Sequence, residues 1–234
     1  MKFIIDAEIF ERFPGLKVGV VQGKNIDNRG DGDEIMRLIR EREEEIRREF
    51  DSETLSQHPK IQAWRRAYSS FGAKPKKYKS SVESLYRMIL KRIELRHINK
   101  VVDIYNYISL KHTVPVGGDD TAKVDGDIRL KFARGDEPFT PLGTDETESA
   151  KEGEVIYADS KEVLCRRWNW RECEKTKMME DTKDVLLVIE GLPPVTKEEV
   201  KEIIEELSGL IREYCNGETK INILDEANRL IYLE

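Results

Sequence analysis

Apolar residues return at helical spacing through much of the first half of the chain and at strand spacing through most of the second. Between Glu34 and Phe50, residues Ile35, Leu38, Ile39, Ile46 and Phe50 share one face and the rest is charged, which predicts an amphipathic helix with Asp33 as its N-cap. A second helix is predicted over Lys60 to Ser70, with Pro75 breaking the chain after it. Ser80 followed three residues later by Glu83 has the form of a capping box. It opens a helix carrying Val82, Leu85, Tyr86, Ile89 and Ile93 on one side. Beyond Asn99, residues Val101, Ile104, Tyr105 and Ile108 keep the helical period until Pro115 ends it.

Residues 2–10 and 16–22 read as strands joined at Pro14-Gly15. Further strands are predicted over 127–135, 154–160, 162–170, 184–192 and 220–225, with an amphipathic helix from Lys197 to Tyr214 capped by Thr196. The acidic stretch 139–153 reads as a loop. The expected fold class is α+β, a mixed sheet with flanking helices. The expected organisation is one domain over 1–234: helix-rich over 1–115, sheet-rich over 116–192, and strand–helix–strand over 183–234.

Composition narrows the picture. Charged residues make up 37% of the chain and hydrophobic ones 38%. That charge content exceeds the ~25% of ordinary globular domains. The excess lies in Glu, Lys and Arg, as in proteins from hot environments, and regularly recurring apolar residues exclude disorder. The N-terminal MKFIIDAEIF has neither a signal peptide nor a membrane span, and the three cysteines form no Cys-x-x-Cys pair. A cytoplasmic protein with no membrane partner is expected. The net charge of −6 argues against a nucleic-acid coat protein, and no DNA partner is expected. Charge is unevenly distributed, however: residues 65–100 hold eleven Lys and Arg against Glu83 and Glu94. A solvated face is the plain alternative for that segment.

Several motifs fail on spacing. GLKVGVVQGK lacks the first glycine and the Ser/Thr of a phosphate loop. The polar loop after Asn25 would put Arg29 and Met36 at calcium-ligand positions. The three histidines are isolated, so neither a metal nor a cofactor is expected.

Three constellations remain. In Asn106 to Asp120, Asn106 flanks the apolar stripe, Gly117 and Gly118 permit close approach of backbone to a ligand, and Asp119 and Asp120 suit an α-ammonium group or a water. A plain helix-to-strand connection is the competing reading. In the second, strand alternation puts Arg167, Asn169 and Arg171 on one face and Trp168 and Trp170 on the other. The arginines suit phosphate or carboxylate and the tryptophans suit stacking, the competing reading being a strand with buried tryptophans. In the third, Arg65, Tyr68, Phe71, Lys74, Lys76 and Lys77 mix aromatic and basic side chains in the manner of a single-strand nucleic-acid track.

These residues carry a resemblance. Val102 to Leu110, Pro115 to Asp120, Ile128-Arg129-Leu130, Ala133, Gly135, Glu137, Leu142-Gly143, Val155 to Asp159 and Trp168 to Arg171 form an ordered set. Together they resemble the tRNA-editing B3/B4 domain of the phenylalanyl-tRNA synthetase beta subunit, over roughly residues 65–192. The resemblance implies a B3/B4-like fold with a pocket for the aminoacyl end of charged tRNA. It also implies ester hydrolysis of mischarged tRNA, in trans for free-standing relatives. Asn106, Gly117, Gly118 and Asp120 are then the catalytic candidates. Asp119, Arg167, Trp168, Asn169, Trp170 and Arg171 are the substrate-binding candidates, and the 65–77 set contacts tRNA. Gly117 stands where the bacterial domain has the histidine of Pro-x-His-x-x-Asp, so tyrosine is not carried over as the rejected amino acid. The signatures of amino-acid activation are absent, so a full synthetase is not expected. Two alternatives stay open: a non-catalytic tRNA- or protein-binding module on this fold, and an amino-acid ester or peptide-binding enzyme that needs no tRNA.

Overall fold

The computed structural model describes residues 1–233. Strand β1 (Lys2–Ile5), helix α1 (Ala7–Arg12) and strand β2 (Lys17–Lys24) come first. Four helices follow: α2 (Asp33–Glu49), α3 (Pro59–Ser70), α4 (Ser81–Leu90) and α5 (Lys100–His112). Eight strands come next: β3 (Val116–Asp120), β4 (Ile128–Phe132), β5 (Pro138–Phe139), β6 (Glu148–Ser149), β7 (Val155–Ala158), β8 (Val163–Arg166), β9 (Arg171–Glu172) and β10 (Val185–Gly191). Helix α6 (Lys197–Cys215) and strands β11 (Glu218–Leu224) and β12 (Leu230–Tyr232) complete the chain.

The strands form a six-stranded sheet in the order β12-β1-β4-β7-β8-β9, a four-stranded sheet in the order β11-β2-β10-β3, and the small β5-β6 ribbon. Pairing is mixed in the larger sheet, where β1 runs parallel to β4 and antiparallel to β12. The fold is therefore α+β. The Lys2↔Tyr232 pairing joins the two ends of the described chain in one sheet.

Strand β10 explains why its sequence is apolar almost throughout. Leu186 and Val188 pack into one core with Phe3, Tyr157 and Trp168. Val185, Leu187 and Ile189 pack into a second core with the helices α2, α4, α5 and α6. Both faces of the smaller sheet are covered, so neither face needs polar residues. Glu190 continues the Leu186/Val188 face and is buried there.

The expected caps at Ser80 and Thr196 are present, and Asn99 caps α5. Ser80, Asn99 and Thr196 each accept a hydrogen bond from the backbone N–H three residues on. Glu83 does not complete a capping box. It is fully buried and takes Arg65 and Arg87, both at 2.8 Å. On α2 the cap position is Gly32 rather than Asp33.

Three expectations are corrected. Residues 7–12 are helical, because Ile9, Phe10 and Phe13 must all reach the core, and a strand would turn Ile9 and Phe10 to opposite faces. The 139–153 segment is not wholly loop, since it contributes to the β5-β6 ribbon. The strand expected over 162–170 stops at Arg166, where Arg167 and Trp168 adopt positive φ values of 47° and 69°. That break ends the period-two alternation on which the Arg/Trp face assignment rested.

Candidate functional site

A cavity of about 30 Å³ lies between the two sheets. Phe3, Tyr157 and Cys165 line it from the larger sheet, and Val116 to Asp119, Val188 and Glu190 from the smaller. Trp168, Asn169, Glu172 and Ser81 close it.

Strand β3 is the edge of its sheet. The bare Gly-Gly-Asp-Asp stretch is thus a strand and not a turn. Glu190 N donates to Pro115 O at 3.1 Å, so in the β3/β10 register the hydrogen-bonded pairs are Gly117 with Val188 and Asp119 with Leu186. Gly117 N–H is consumed by the ladder. Gly118 has the opposite parity, and its N–H and C=O face the open edge, as Asp120 N does in donating to Thr176 O at 2.9 Å. Both glycines are crowded, Gly118 against backbone and Gly117 against the end of a flexible side chain. A Cβ on Gly118 would lie 2.2 Å from Leu186 O, and one on Gly117 would lie 2.9 Å from Glu172 Oε1.

Three carboxyl groups line the cavity with no Lys, Arg or His among the lining residues. Tyr157 Oη donates to Glu190 Oε1 and Asn169 Nδ2 donates to Glu190 Oε2, each at 2.6 Å. Tyr68 Oη in turn donates to Asn169 Oδ1 at 2.9 Å, which fixes the amide. Burial raises the Glu190 pKa to about 7, against the lowering effect of the hydrogen bonds from Tyr157, Asn169 and Trp168. Asp119 accepts from Thr176 Oγ1, and burial raises its pKa to about 6. Burial, then the nearby Asp119 and Glu190, push Glu172 well above the usual carboxylate range. Burial also pushes up the Cys165 thiol, which makes it a poor nucleophile.

Gly117, Gly118, Asp119, Trp168 and Asn169 are brought together by the fold. The other candidates are elsewhere. Asn106 is half-buried on α5 and lines neither this cavity nor its neighbour. Asp120 caps a short helical turn through Ala122 N, accepts from Thr182 Oγ1 at 2.8 Å and pairs with Lys123 at 3.2 Å, so it serves the fold. Arg167 is buried against Glu154 at 2.8 Å, its guanidinium 3.9 Å from the Tyr78 ring centre and 4.5 Å from that of Trp170. Its charge is already matched. Trp168 is wholly buried, edge-on to Phe13 and Trp64, and offers no stacking platform. Trp170 is half-buried beneath Tyr78, and exposed Arg171 reaches Leu142 O at 3.3 Å.

Of the expected tRNA track, Tyr68 is buried and Phe71 packs on the core. Arg65 is held by Glu83. Lys74, Lys76 and Lys77 remain exposed, beside an open concavity lined by Arg65, Arg66 and Lys76. The basic segment leads to Ser81, whose N–H donates to Asn169 O at 3.1 Å at the cavity wall.

A second cavity, about 180 Å³ and largely apolar, shares Gly118 and Glu172 with the first. Ile98, Val102, Tyr105, Leu142, Met178 and Met179 are among its walls. Sequence reasoning missed Glu172, Glu190, Tyr157, Cys165, Phe3 and Ser81. Only Glu190 carried a signal, as a lone charge at the end of an otherwise apolar buried strand. Among the described residues, no cluster of His, Cys, Asp and Glu has the arrangement of a metal site, and no helix is long and apolar enough to cross a membrane.

Comparison with known proteins agrees with the resemblance read from the sequence. The phenylalanine–tRNA ligase beta subunit of Colwellia psychrerythraea is 41% identical over 75 residues, covering 32% of this chain and 9% of that protein. The same subunit of Vibrio cholerae is 36% identical over 98 residues, covering 42% and 12%. The chain thus spans about a tenth of the length of these relatives. An N-terminal fragment of the phenylalanyl-tRNA synthetase beta subunit from Pyrococcus horikoshii aligns with a TM-score of 0.45 and 17% identity, over 93% of this chain and 49% of that one. The family model described as the B3/4 domain matches residues 63–216, which is well over half of the sequence, and the chain belongs to that family.

Proposed function

We propose that the protein hydrolyses the ester bond of aminoacyl-tRNA, acting in trans on mischarged species. The observation that carries the reading is the unpaired edge of β3 at Gly118, which faces a carboxyl-lined cavity at the end of a basic segment. Membership of the B3/4 family supports it.

An aminoacyl ester is already activated, so its hydrolysis requires a placed water, a donor for the carbonyl oxygen and a proton acceptor. In this reading Gly118 N–H receives the charge that develops on the carbonyl oxygen. Glu172, beside Gly117, takes a proton from the water as its oxygen bonds to the carbonyl carbon. The bond from that carbon to the ribose oxygen then breaks, and the ribose oxygen takes the proton back from Glu172. A free amino acid and an uncharged 3′ end result. Exposed Lys74, Lys76, Lys77 and Arg66 guide the phosphates.

The test is hydrolysis of a panel of aminoacyl-tRNAs, correctly and wrongly charged, by the purified protein against enzyme-free controls. Selective loss of one mischarged species supports trans-editing. Binding of tRNA without loss of any ester supports the binding-module alternative. Equal turnover of aminoacyl-tRNA and a free aminoacyl ester supports an enzyme that needs no tRNA.

A further inference from the structure

The second, apolar cavity lies on the open edge of β3, with Val102 and Tyr105 of α5 on one side and Glu172 and Cys173 on the other. Only Gly118 and Glu172 of its walls enter the proposed hydrolysis. Its volume of about 180 Å³ exceeds the roughly 150 Å³ of an apolar cavity that holds a benzene ring, so it accommodates one branched or aromatic side chain. Its mouth is apolar as well. Ile98, Leu142 and Met179 are 58%, 43% and 45% exposed, three of the seven large hydrophobic residues left exposed among the described residues. Single exposed apolar residues are ordinary, but three converging on one opening mark a binding surface. The rim is held in place: buried Asn99 donates to Met178 O at 3.0 Å, and buried Asn28 donates to Met179 O at 2.7 Å while accepting from Val101 N at 2.9 Å.

A second observation concerns the backbone. Gly118 N–H and C=O point away from the β3/β10 ladder, toward this space. Asp120 has the same parity, but its N–H is taken by Thr176 O at 2.9 Å, which closes the edge at that end. An edge left open at one residue, beside an apolar cavity of side-chain size, fits an extended peptide that adds to the sheet. Charge at the rim selects further. Arg171 is exposed, reaches Leu142 O at 3.3 Å, and pairs with no carboxylate among the described residues. Lys177 is already matched by Glu174. A carboxylate next to the apolar side chain of the peptide therefore complements Arg171.

We propose that this edge and cavity form a docking site for an extended segment of a protein partner. One leucine-sized residue of the segment pairs its backbone with Gly118 and fills the cavity, and an acidic residue beside it meets Arg171. The methionine wall adapts to side chains of different shape. Because Gly118 and Glu172 are walls of both cavities, a docked segment covers groups assigned to hydrolysis and shuts the site off. The docking rests on the edge and the cavity; only the inhibition rests on the proposed function.

Fluorescence anisotropy on the intact protein tests it. The probe is a labelled, end-blocked pentapeptide with leucine at its centre, a glutamate on each side and threonines at the ends. Saturable binding is expected at concentrations up to about 1 mM. Methylating the leucine nitrogen removes the N–H that pairs with Gly118 O, and replacing leucine by serine removes the anchor; each should weaken binding at least about tenfold. Ile98→Glu and Arg171→Glu should do the same from the protein side, with melting curves to establish folding; if Ile98→Glu does not fold, Leu142→Glu takes its place. Absence of saturable binding overturns the site, as does binding that survives both the methylated nitrogen and the rim substitution. The site is equally overturned if the peptide fails and the rim variant instead loses self-association or binding of a CCA-ended oligoribonucleotide, which would make the occupant a second copy or RNA. Deacylation is followed in parallel. Peptide binding without hydrolysis of any aminoacyl-tRNA removes the deacylase and leaves the docking site standing. Full deacylation with the peptide saturating overturns the pairing at Gly118 and leaves the deacylase.

Discussion

Glu172 Oε1 stands 2.9 Å from where a Cβ on Gly117 would lie. The glycine and the carboxylate therefore share one volume, and any larger residue at 117 displaces the group that faces the reacting centre in the proposed mechanism. Because the obstructing atom ends a flexible side chain, Gly117→Ala should fold, with Tm shifted by no more than about 5 °C. Deacylation should fall at least tenfold. A full rate in this variant would remove Glu172 from the mechanism.

Gly118→Ala should behave differently. Its Cβ would meet a backbone atom, Leu186 O, at 2.2 Å, and Leu187 Cδ2 at 2.8 Å. Strand β10 must then move. A cost of about 3 kcal/mol is expected, at the upper end for overpacking, which lowers Tm by roughly 6–12 °C for a chain of this size. Thermal melts of the two alanine variants side by side check the contrast.

The buried acids predict an unusual pH profile. Burial raises the Glu190 pKa to about 7 from an ordinary 4.5, and that of Asp119 to about 6 from 3.8. The folded state holds these protons more tightly than the unfolded state. Their contribution to stability is fully present below about pH 4 and is lost as pH rises through 6 to 7. Glu190 alone accounts for on the order of 3 kcal/mol. His58, whose pKa burial lowers, works in the opposite direction. The readout is accordingly a difference between proteins: between pH 5 and pH 8 the Tm of Glu190→Gln should fall less, or rise more, than that of the wild type. Parallel profiles would refute the assignment.

Glu154 anchors two buried guanidinium groups, Arg166 through two contacts of 2.9 Å and Arg167 at 2.8 Å. Glu148 also reaches Arg166, but among the described residues Arg167 pairs with no second carboxylate. Glu154→Ala strands buried charge, and a loss of about 3–5 kcal/mol is expected by denaturant unfolding.

The exposed lysines and the buried tyrosine of the basic segment should separate cleanly. Charge reversal at Lys76 and Lys77 should weaken tRNA binding about tenfold and flatten its salt dependence, with Tm unchanged. Tyr68→Phe should leave tRNA affinity intact and lower Tm by removing the 2.9 Å bond to Asn169. Filter binding across a salt series distinguishes the two.

The sequence by itself determined helices α2 to α6, the caps at Ser80 and Thr196, the α+β class and the family. Each is written in local chemistry: a period of 3.6 or 2, a side-chain oxygen before an apolar run, an ordered set of short motifs. Gly117 and Gly118 were legible for the same reason, since two adjacent glycines mark a place where a side chain has no room. Tertiary structure alone decided which acids meet. Asp119 and Asp120 are neighbours in the chain, but strand parity and the turn after β3 send Asp120 to a cap and leave Asp119 at the cavity. Glu172 and Glu190 join it from strands of different sheets, a meeting that depends on register and on how two sheets stack. Arg167 and Trp168 look like ligands in one dimension. They became core residues because two positive φ values break the alternation and turn the indole and the guanidinium inward, where packing and Glu154 hold them.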